Sequence, residues 1–251
     1  MDQTAATTGQ QTTQSKQEEK TQTQPAAAEK PARRTDYTLD IMREEHLEDC
    51  VKLIYDSFTK TNPLWMRFKT TFEEIAPFLR WRLKPALATQ TGSILICDDK
   101  IVACQIGVDY VDYWNQRREG FALPEMFKII TKYHDECMGT NLDPELPRNT
   151  CVMNHYTAVD PAYQSQGFYP ALNKNGFRVT KLGYTNSFTI TTNPITQGKS
   201  QVYKGVNNIR TVKVEDPESP LCGIQFDLIE IPLVYGDTSS SFRQQEKQTE
   251  S

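Results

Sequence analysis

The sequence predicts an α/β fold with a mixed central sheet flanked by helices. Three observations carry this. Short β-rich segments alternate with stretches of helical periodicity from residue 37 to about 235. Two apolar strands enclose an acidic turn at Asp98-Asp99-Lys100, which reads as a hairpin and requires antiparallel pairing. Later strands are separated by helical segments, which suits parallel neighbours and hence a mixed sheet.

The elements follow in order. Tyr37-Thr-Leu-Asp-Ile-Met42 alternates like a strand. From Arg43 to Phe58 the apolar residues Leu47, Val51, Ile54, Tyr55 and Phe58 recur at helical spacing, and Asn62-Pro63-Leu64 breaks the helix. Phe72 to Leu87 reads as a second helix with Pro77 and Pro85 as weak points. Ser93–Cys97 and Ile101–Val108 are the hairpin strands. Residues 111–149 interrupt the rhythm and contain one amphipathic helix, Pro124 to Met138. Cys151–Val159 is a strand ended by Asp160-Pro161. A helix opens at Gln166 or Gly167 and runs to about Leu182, where Gly183 caps it. Ser187–Thr192 is a β-branched strand, Thr196 to Gly205 a short helix, and Ile209–Val214 and Gln225–Leu233 the last strands.

Residues 1–36 are rich in Gln, Thr, Ala, Lys and Glu with almost no large apolar side chain, so they are expected to be disordered, as is the tail 236–251. One domain, 37–235, is expected between them. The net charge of -4 and the absence of a basic stripe argue against a nucleic-acid partner. The longest apolar-rich run, Ile224 to Tyr235, is interrupted by Asp227, Glu230 and Pro232 and is too short to span a bilayer, so no membrane association is expected. The N-terminus lacks the apolar segment of a secretory signal. Six cysteines without a CxxC pair read as free thiols in a reducing, cytoplasmic setting. His134-Asp-Glu-Cys137 has a spacing that a metal uses, but no second ligand pair accompanies it, and no metal is expected.

The most informative stretch is Ala158-Val159-Asp160-Pro161-Ala162-Tyr163-Gln164-Ser165-Gln166-Gly167-Phe168-Tyr169-Pro170. A strand ends in a turn and a helix begins. The free N–H groups of a helix N-terminus form an anion site, and Gly167 permits close backbone approach. The stretch resembles the pyrophosphate-binding motif of GNAT acetyltransferases, Val-x-Pro followed by Arg/Gln-x-x-Gly-x-Gly/Ala. Gln164 stands at the Arg/Gln position, Gly167 at the first Gly, and Tyr169 where a small residue belongs. Gln166-Gly167 followed by Pro170 is similar to the version in serotonin N-acetyltransferases. Asn62-Pro63-Leu64, the 111–149 insert and Ser200-Gln-Val-Tyr-Lys-Gly205 are similar in placement to segments of insect dopamine N-acetyltransferases, though Lys204-Gly205-Val206-Asn207 departs from the Lys-Leu-Gly-Phe found there.

The resemblance implies the GNAT acyl-CoA N-acyltransferase fold and acetyl-CoA as cosubstrate. It implies that Gln164, Ser165, Gln166, Gly167, Phe168 and Tyr169 hold the pyrophosphate through their backbone. It further implies that an N–H around Ala158 or Val159 meets the oxyanion, and that Asn193 touches the cofactor. Attack by an alkylamine on a thioester needs a base, because the amine is mostly protonated below pH ~10. His155, three residues before Ala158-Val159, is the candidate base or end of a water relay. Alternation places His155, Thr157 and Val159 on one face. Tyr203, which stands where the family's helical tyrosine does, is by that resemblance the candidate acid for the leaving thiolate. Lys199 is read as a solvated lysine or a partner for the CoA 3′-phosphate. Phe58, Trp65, Phe68, Trp114, Phe121 and Phe127 are expected around an acceptor pocket that would take a small arylalkylamine. Two other readings remain: a catalytically dead GNAT-fold interaction module, motivated by Tyr169, and a GNAT enzyme for polyamine, amino-acid or protein amines.

Overall fold

The computed structural model describes residues 33–139, 146–194, 196–198 and 206–233. The expected tails therefore lie outside the described residues, except for 33–36, as does most of the helix expected over 196–205.

Seven strands form one sheet in the order β1-β2-β3-β4-β5-β7-β6. They are β1 (Thr38–Ile41), β2 (Ser93–Cys97), β3 (Lys100–Asp109), β4 (Cys151–Val159), β5 (Asn186–Thr191), β6 (Asn207–Lys213) and β7 (Gln225–Pro232). Every neighbouring pair is antiparallel except β4 and β5, which are parallel. The β2–β3 turn closes on Asp98 and Asp99, both at positive φ, as a two-residue hairpin requires.

Four helices share the principal core on one face: α1 (Leu47–Thr61), α2 (Phe72–Thr89), α3 (Tyr110–Glu119) and α4 (Glu125–Met138). On the other face α5 (Phe168–Asn173) packs Phe168, Ala171 and Leu172 against Leu95, Val102 and Ala103. Next to it α6 (Asn175–Lys181) sets Val179 beside Val152 and Tyr184. The single helix expected from 166 to 182 is thus two segments that meet at Lys174.

α2 runs through both of its prolines. An interior proline costs ~3 kcal/mol. Burial of Ile75, Phe78, Leu79 and Leu83 offsets this, at about 1.5–3 kcal/mol for each large side chain. A capping box adds to it, with Thr71 N–H donating to Glu74 Oε2 at 2.7 Å. Helix α3 was not expected. Its residues carry little helical periodicity, and it forms because buried Asp109 caps it where β3 ends. Asp109 Oδ1 accepts Val111 N–H at 2.8 Å, and Oδ2 accepts Asn149 N–H at 2.7 Å and the Tyr184 hydroxyl at 3.1 Å. One carboxylate therefore ties the start of α3 to the chain entering β4 and to Tyr184, two residues before β5.

The β3–β4 register slips by one residue: Ile106 faces Tyr156, but Gly107 faces Asn154. His155 is the extra residue, a β-bulge. Gly107 permits it, since a Cβ there would lie 2.4 Å from Val152 Cγ1 and 2.9 Å from Asn154 Oδ1. Gly107→Ala is expected to lower stability by about 1–3 kcal/mol. Val152→Ala in the same chain should return part of that loss, read from urea denaturation midpoints. No recovery in the double variant would remove the steric explanation.

Candidate active site

The site begins where two parallel strands part. β4 and β5 pair from Cys151–Asn186 to Asn154–Thr189 and no further. Beyond that point β5 stays with β7 and β4 stays with β3. The gap exposes one edge of β4. Asp160 N–H donates to Val102 O of β3 at 2.8 Å, so alternation along the antiparallel ladder turns Ala158 and Tyr156 toward β3 as well. Thr157 and Val159 turn their N–H groups toward the gap, and Ser57 Oγ donates to Val159 O from that side at 3.0 Å. Of the two residues expected to offer an oxyanion donor, Ala158 has its N–H committed to β3. Val159 faces the gap, and so does Thr157, which sequence reasoning did not single out.

The bulge also changes which side chains point where. Cys151 and Met153 face the principal core before it, Tyr156 and Ala158 after it, and Val159 faces the opposite cluster. The expectation that His155, Thr157 and Val159 share one face is therefore corrected. His155 and its neighbour Tyr156 both line the same cavity.

That cavity measures about 260 Å3 and lies between α1, α2, α3, α4 and the parted ends of β4 and β5. Four of the six expected aromatics line it, namely Phe58, Trp65, Phe121 and Phe127. Phe68 and Trp114 are instead half-buried against the core. Phe78, Trp81 and Tyr156 complete the wall. The rings touch in series: Phe58 meets Tyr156 at 5.7 Å and Trp65 at 5.2 Å, Trp65 meets Phe127 at 5.5 Å, and Phe78 meets Phe127 at 4.1 Å.

The polar groups of the cavity are few: Arg82, Gln116, Arg117, Thr131, His134, Asp135, His155 and Thr192. Arg117 forms an ion pair with Asp135 and donates to the Tyr113 hydroxyl at 3.0 Å. Arg82 is buried and donates to Gln116 Oε1 at 3.1 Å, while Gln116 is held by Trp81 O at 2.7 Å. His155 Nε2 is shut off from solvent with no hydrogen-bond partner. Burial, then the nearby Arg82, His134 and Arg117, hold the His155 imidazole well below the usual histidine range. Burial, then Arg82 and Arg117, bring His134 down to about 3. Both rings are thus neutral at physiological pH. The sequence pointed to His155, but not to the cationic surroundings that make it less basic than a free imidazole. Arg82 carried a signal: it falls on the buried stripe of α2 formed by Ile75, Phe78, Leu79 and Leu83, where a charge is out of place.

The turn that leaves β4 is tightly made. Asp160 Oδ1 accepts Ala162 N–H at 3.0 Å, and Lys100 Nζ lies 2.6 Å from Asp160 Oδ2. Ser165 and Gly167 both take left-handed φ, +64° and +89°. They turn the chain into α5, whose first-turn N–H groups have no intrahelical acceptor. Gln164 and Ser165 are exposed, and Gln166 and Tyr169 half-buried. Phe168 is buried beside Tyr37, ring centroids 5.7 Å apart, so only its backbone belongs to the turn. The chain before β1 crosses here: Arg34 N–H donates to Gln166 O at 3.1 Å, and Arg33 passes over Gly167.

Asn193 follows β5 and starts a helical turn, its carbonyl accepting Gln197 N–H at 2.9 Å. Tyr203 and Lys199 lie outside the described residues. Cys137 points its thiol at the Arg210 and Phe226 carbonyls, at 3.9 and 3.7 Å. Among the described residues the only acidic, thiol or imidazole trio within ligand distance is Asp36, Cys97 and Asp98, so His134 and Cys137 belong to no such group. All six cysteines are free. No described helix is long and apolar enough to cross a membrane.

No protein-family model and no curated protein matches the sequence. Solved structures do match. Arylalkylamine N-acetyltransferase 2 of Aedes aegypti superposes with a TM-score of 0.62 over 79% of this chain and 100% of its own, at 13% identity. The polyamine N-acetyltransferase of Drosophila melanogaster, which forms N-acetylagmatine, gives 0.61 over 78% and 100%, at 14%. The C-terminal condensation domain of Ebony, solved with beta-alanyl-dopamine, gives 0.62 over 78% and 98%, at 14%. The chain has a GNAT-like fold. The GNAT-like sheet is the one described above, with its helices on both faces and its cavity at the parting of β4 and β5.

The two cavity histidines link pH to stability. Their folded pKa values lie below the unfolded value of ~6.5, so the unfolded chain takes up protons first as pH falls. Their contribution is intact above ~6.5 and, for His134, is lost as pH falls toward about 3. His134→Gln should flatten the decline in urea midpoint between pH ~6.5 and 4. An unchanged pH dependence would mean that His134 is not held neutral.

Proposed function

We propose that the chain is an acetyl-CoA-dependent N-acetyltransferase acting on a small primary amine with an aromatic portion. The observation that carries this reading is the bulged His155. His155 lines a compact aromatic cavity at the point where β4 and β5 separate, and its Nε2 is enclosed there without a partner. A thioester fits that gap, because strand-edge N–H groups of Thr157 and Val159 point into it and an orphaned imidazole stands beside it.

Acetyl-CoA supplies the acetyl group as an activated thioester. The Val159 N–H faces the negative charge that develops on the acetyl oxygen, a fixed donor of this kind being worth ~3 kcal/mol, while the Thr157 N–H lies about 7 Å away along the same strand edge and serves another acceptor. His155 accepts the proton that the amine loses on attack, directly or through one water. Being neutral at working pH, it is always in the accepting form. The guanidinium groups of Arg82 and Arg117 disfavour an ammonium ion nearby, which favours the uncharged, nucleophilic amine. The turn from Gln164 to Tyr169 offers backbone N–H groups to the pyrophosphate, and this needs no particular side chain at Tyr169. Tyr203 is the proposed proton donor to the departing thiolate. Asn193 is proposed to contact the cofactor near the end of β5.

Calorimetric titration with acetyl-CoA should show micromolar binding that Gly167→Trp abolishes while the fold persists by circular dichroism. His155→Ala should retain that binding and lower turnover of an aromatic amine by about 10²–10⁴-fold, read as free CoA released. In the wild type the acid limb of the rate profile should lie below pH ~6.5, following the lowered pKa. Absence of acetyl-CoA binding would overturn the reading. An unaltered pH profile in His155→Ala would remove His155 from it.

A further inference from the structure

The cavity charge is unbalanced, and the imbalance identifies the acceptor. Among the described residues two guanidinium groups and one carboxylate border it, and the carboxylate of Asp135 is already engaged by Arg117. Arg82 has no carboxylate within ion-pairing distance among the described residues. It donates to Gln116 Oε1, interacts with Tyr113, and lies against the rings of Tyr113 and Trp81, its Cζ 4.8 and 5.8 Å from their centroids. A guanidinium carries five N–H donors. Arg82 is 9% exposed, yet none of its nitrogens is both enclosed and unpartnered, so those without a partner open onto the cavity. Placing a charge at this depth without a counter-charge is costly, and burial presses on it further.

We propose that Arg82 is the recognition site for a carboxylate on the acceptor, so that the substrate is an aromatic amino acid or related amino carboxylate, not a plain arylalkylamine. This rests on the acetyltransferase reading given above and refines its substrate. The geometry suits one small ligand. His155 and Arg82 lie against the same Tyr113 ring, with the imidazole centroid 5.3 Å from its centre. An amine can face His155 while a carboxylate on the same molecule meets Arg82. The aromatic side chain then has the wall of Phe78, Phe121 and Phe127. A plain alkylammonium would instead bring a positive charge beside an uncompensated guanidinium. The carboxylate cancels that charge, and the planar fork of Arg82 can grip it at two points.

The test compares matched pairs: phenylalanine with phenethylamine, tyrosine with tyramine, and tryptophan with tryptamine. Free CoA release is measured for the full chain and for Arg82→Met, which keeps the stem and removes the charge. The wild type should favour the carboxylated member by more than about tenfold in kcat/KM, because a polar site left unpaired rejects the analogue lacking its partner. Arg82→Met should abolish or reverse that preference, with acetyl-CoA affinity unchanged. Arg82→Lys should restore it in part. A second measurement is independent of turnover: calorimetric binding of N-acetylphenylalanine, which should be lost in Arg82→Met. Turnover of the plain amines with no carboxylate preference, and no binding of N-acetylphenylalanine, would overturn the inference and leave the acetyltransferase reading standing. Arg82-dependent binding of N-acetylphenylalanine without any acetyl transfer would do the reverse.

Discussion

A one-residue slip between β3 and β4 organises the centre of this molecule. Gly107 leaves room that Val152 and Asn154 occupy, and the extra residue in β4 is His155. Before the bulge β4 holds β5 in parallel register; after it β4 holds only β3. The strand thus presents a paired half that stabilises the sheet and an open half whose N–H groups at Thr157 and Val159 are unclaimed by β5. The same slip puts two consecutive side chains, His155 and Tyr156, on the cavity face, which an unbroken strand cannot do.

Aromatic side chains give the gap its wall. α1 and α2 supply Phe58 and Phe78, and α4 supplies Phe127, while Trp65 joins them in a chain of edge contacts. Within that wall the charged groups act on one another. Burial, with Arg82 and Arg117 after it, depresses both histidines, and Arg117 in turn is paired with Asp135. Arg82 is left as the uncompensated charge. A protein that held such a group only for stability would do better with an apolar residue of similar volume. Its presence belongs with recognition.

Much of the architecture was legible because periodicity reports burial. The strand Cys151–Val159 and the hairpin on Asp98-Asp99 were visible as apolar runs bounded by turn residues, and the structure places them at those positions. Helix α3 was not visible, since its stability comes from the Asp109 cap and its packing and not from a stripe of its own. The break at Lys174 was equally hidden. In the site, His155 and four of the aromatics were legible as residue types in a suitable place. Gln116, His134 and Arg82 were not read as site residues, because their convergence depends on three helices meeting over one strand.

By itself the sequence determined the order and type of most elements, the strand–turn–helix passage from Ala158 to Tyr169, and the candidacy of His155. These are local matters, decided by side-chain spacing, by turn residues and by glycine. Only the tertiary structure decided which face His155 occupies, that Val159 and Thr157 but not Ala158 are free to donate, and that Arg82 has no acid beside it among the described residues. A hydrogen bond or an ion pair is made or withheld by groups distant in the chain. The backbone of β4 is committed by β3, and the charge of Arg82 is left open because Asp135 is taken by Arg117. No spacing rule along the chain records either fact.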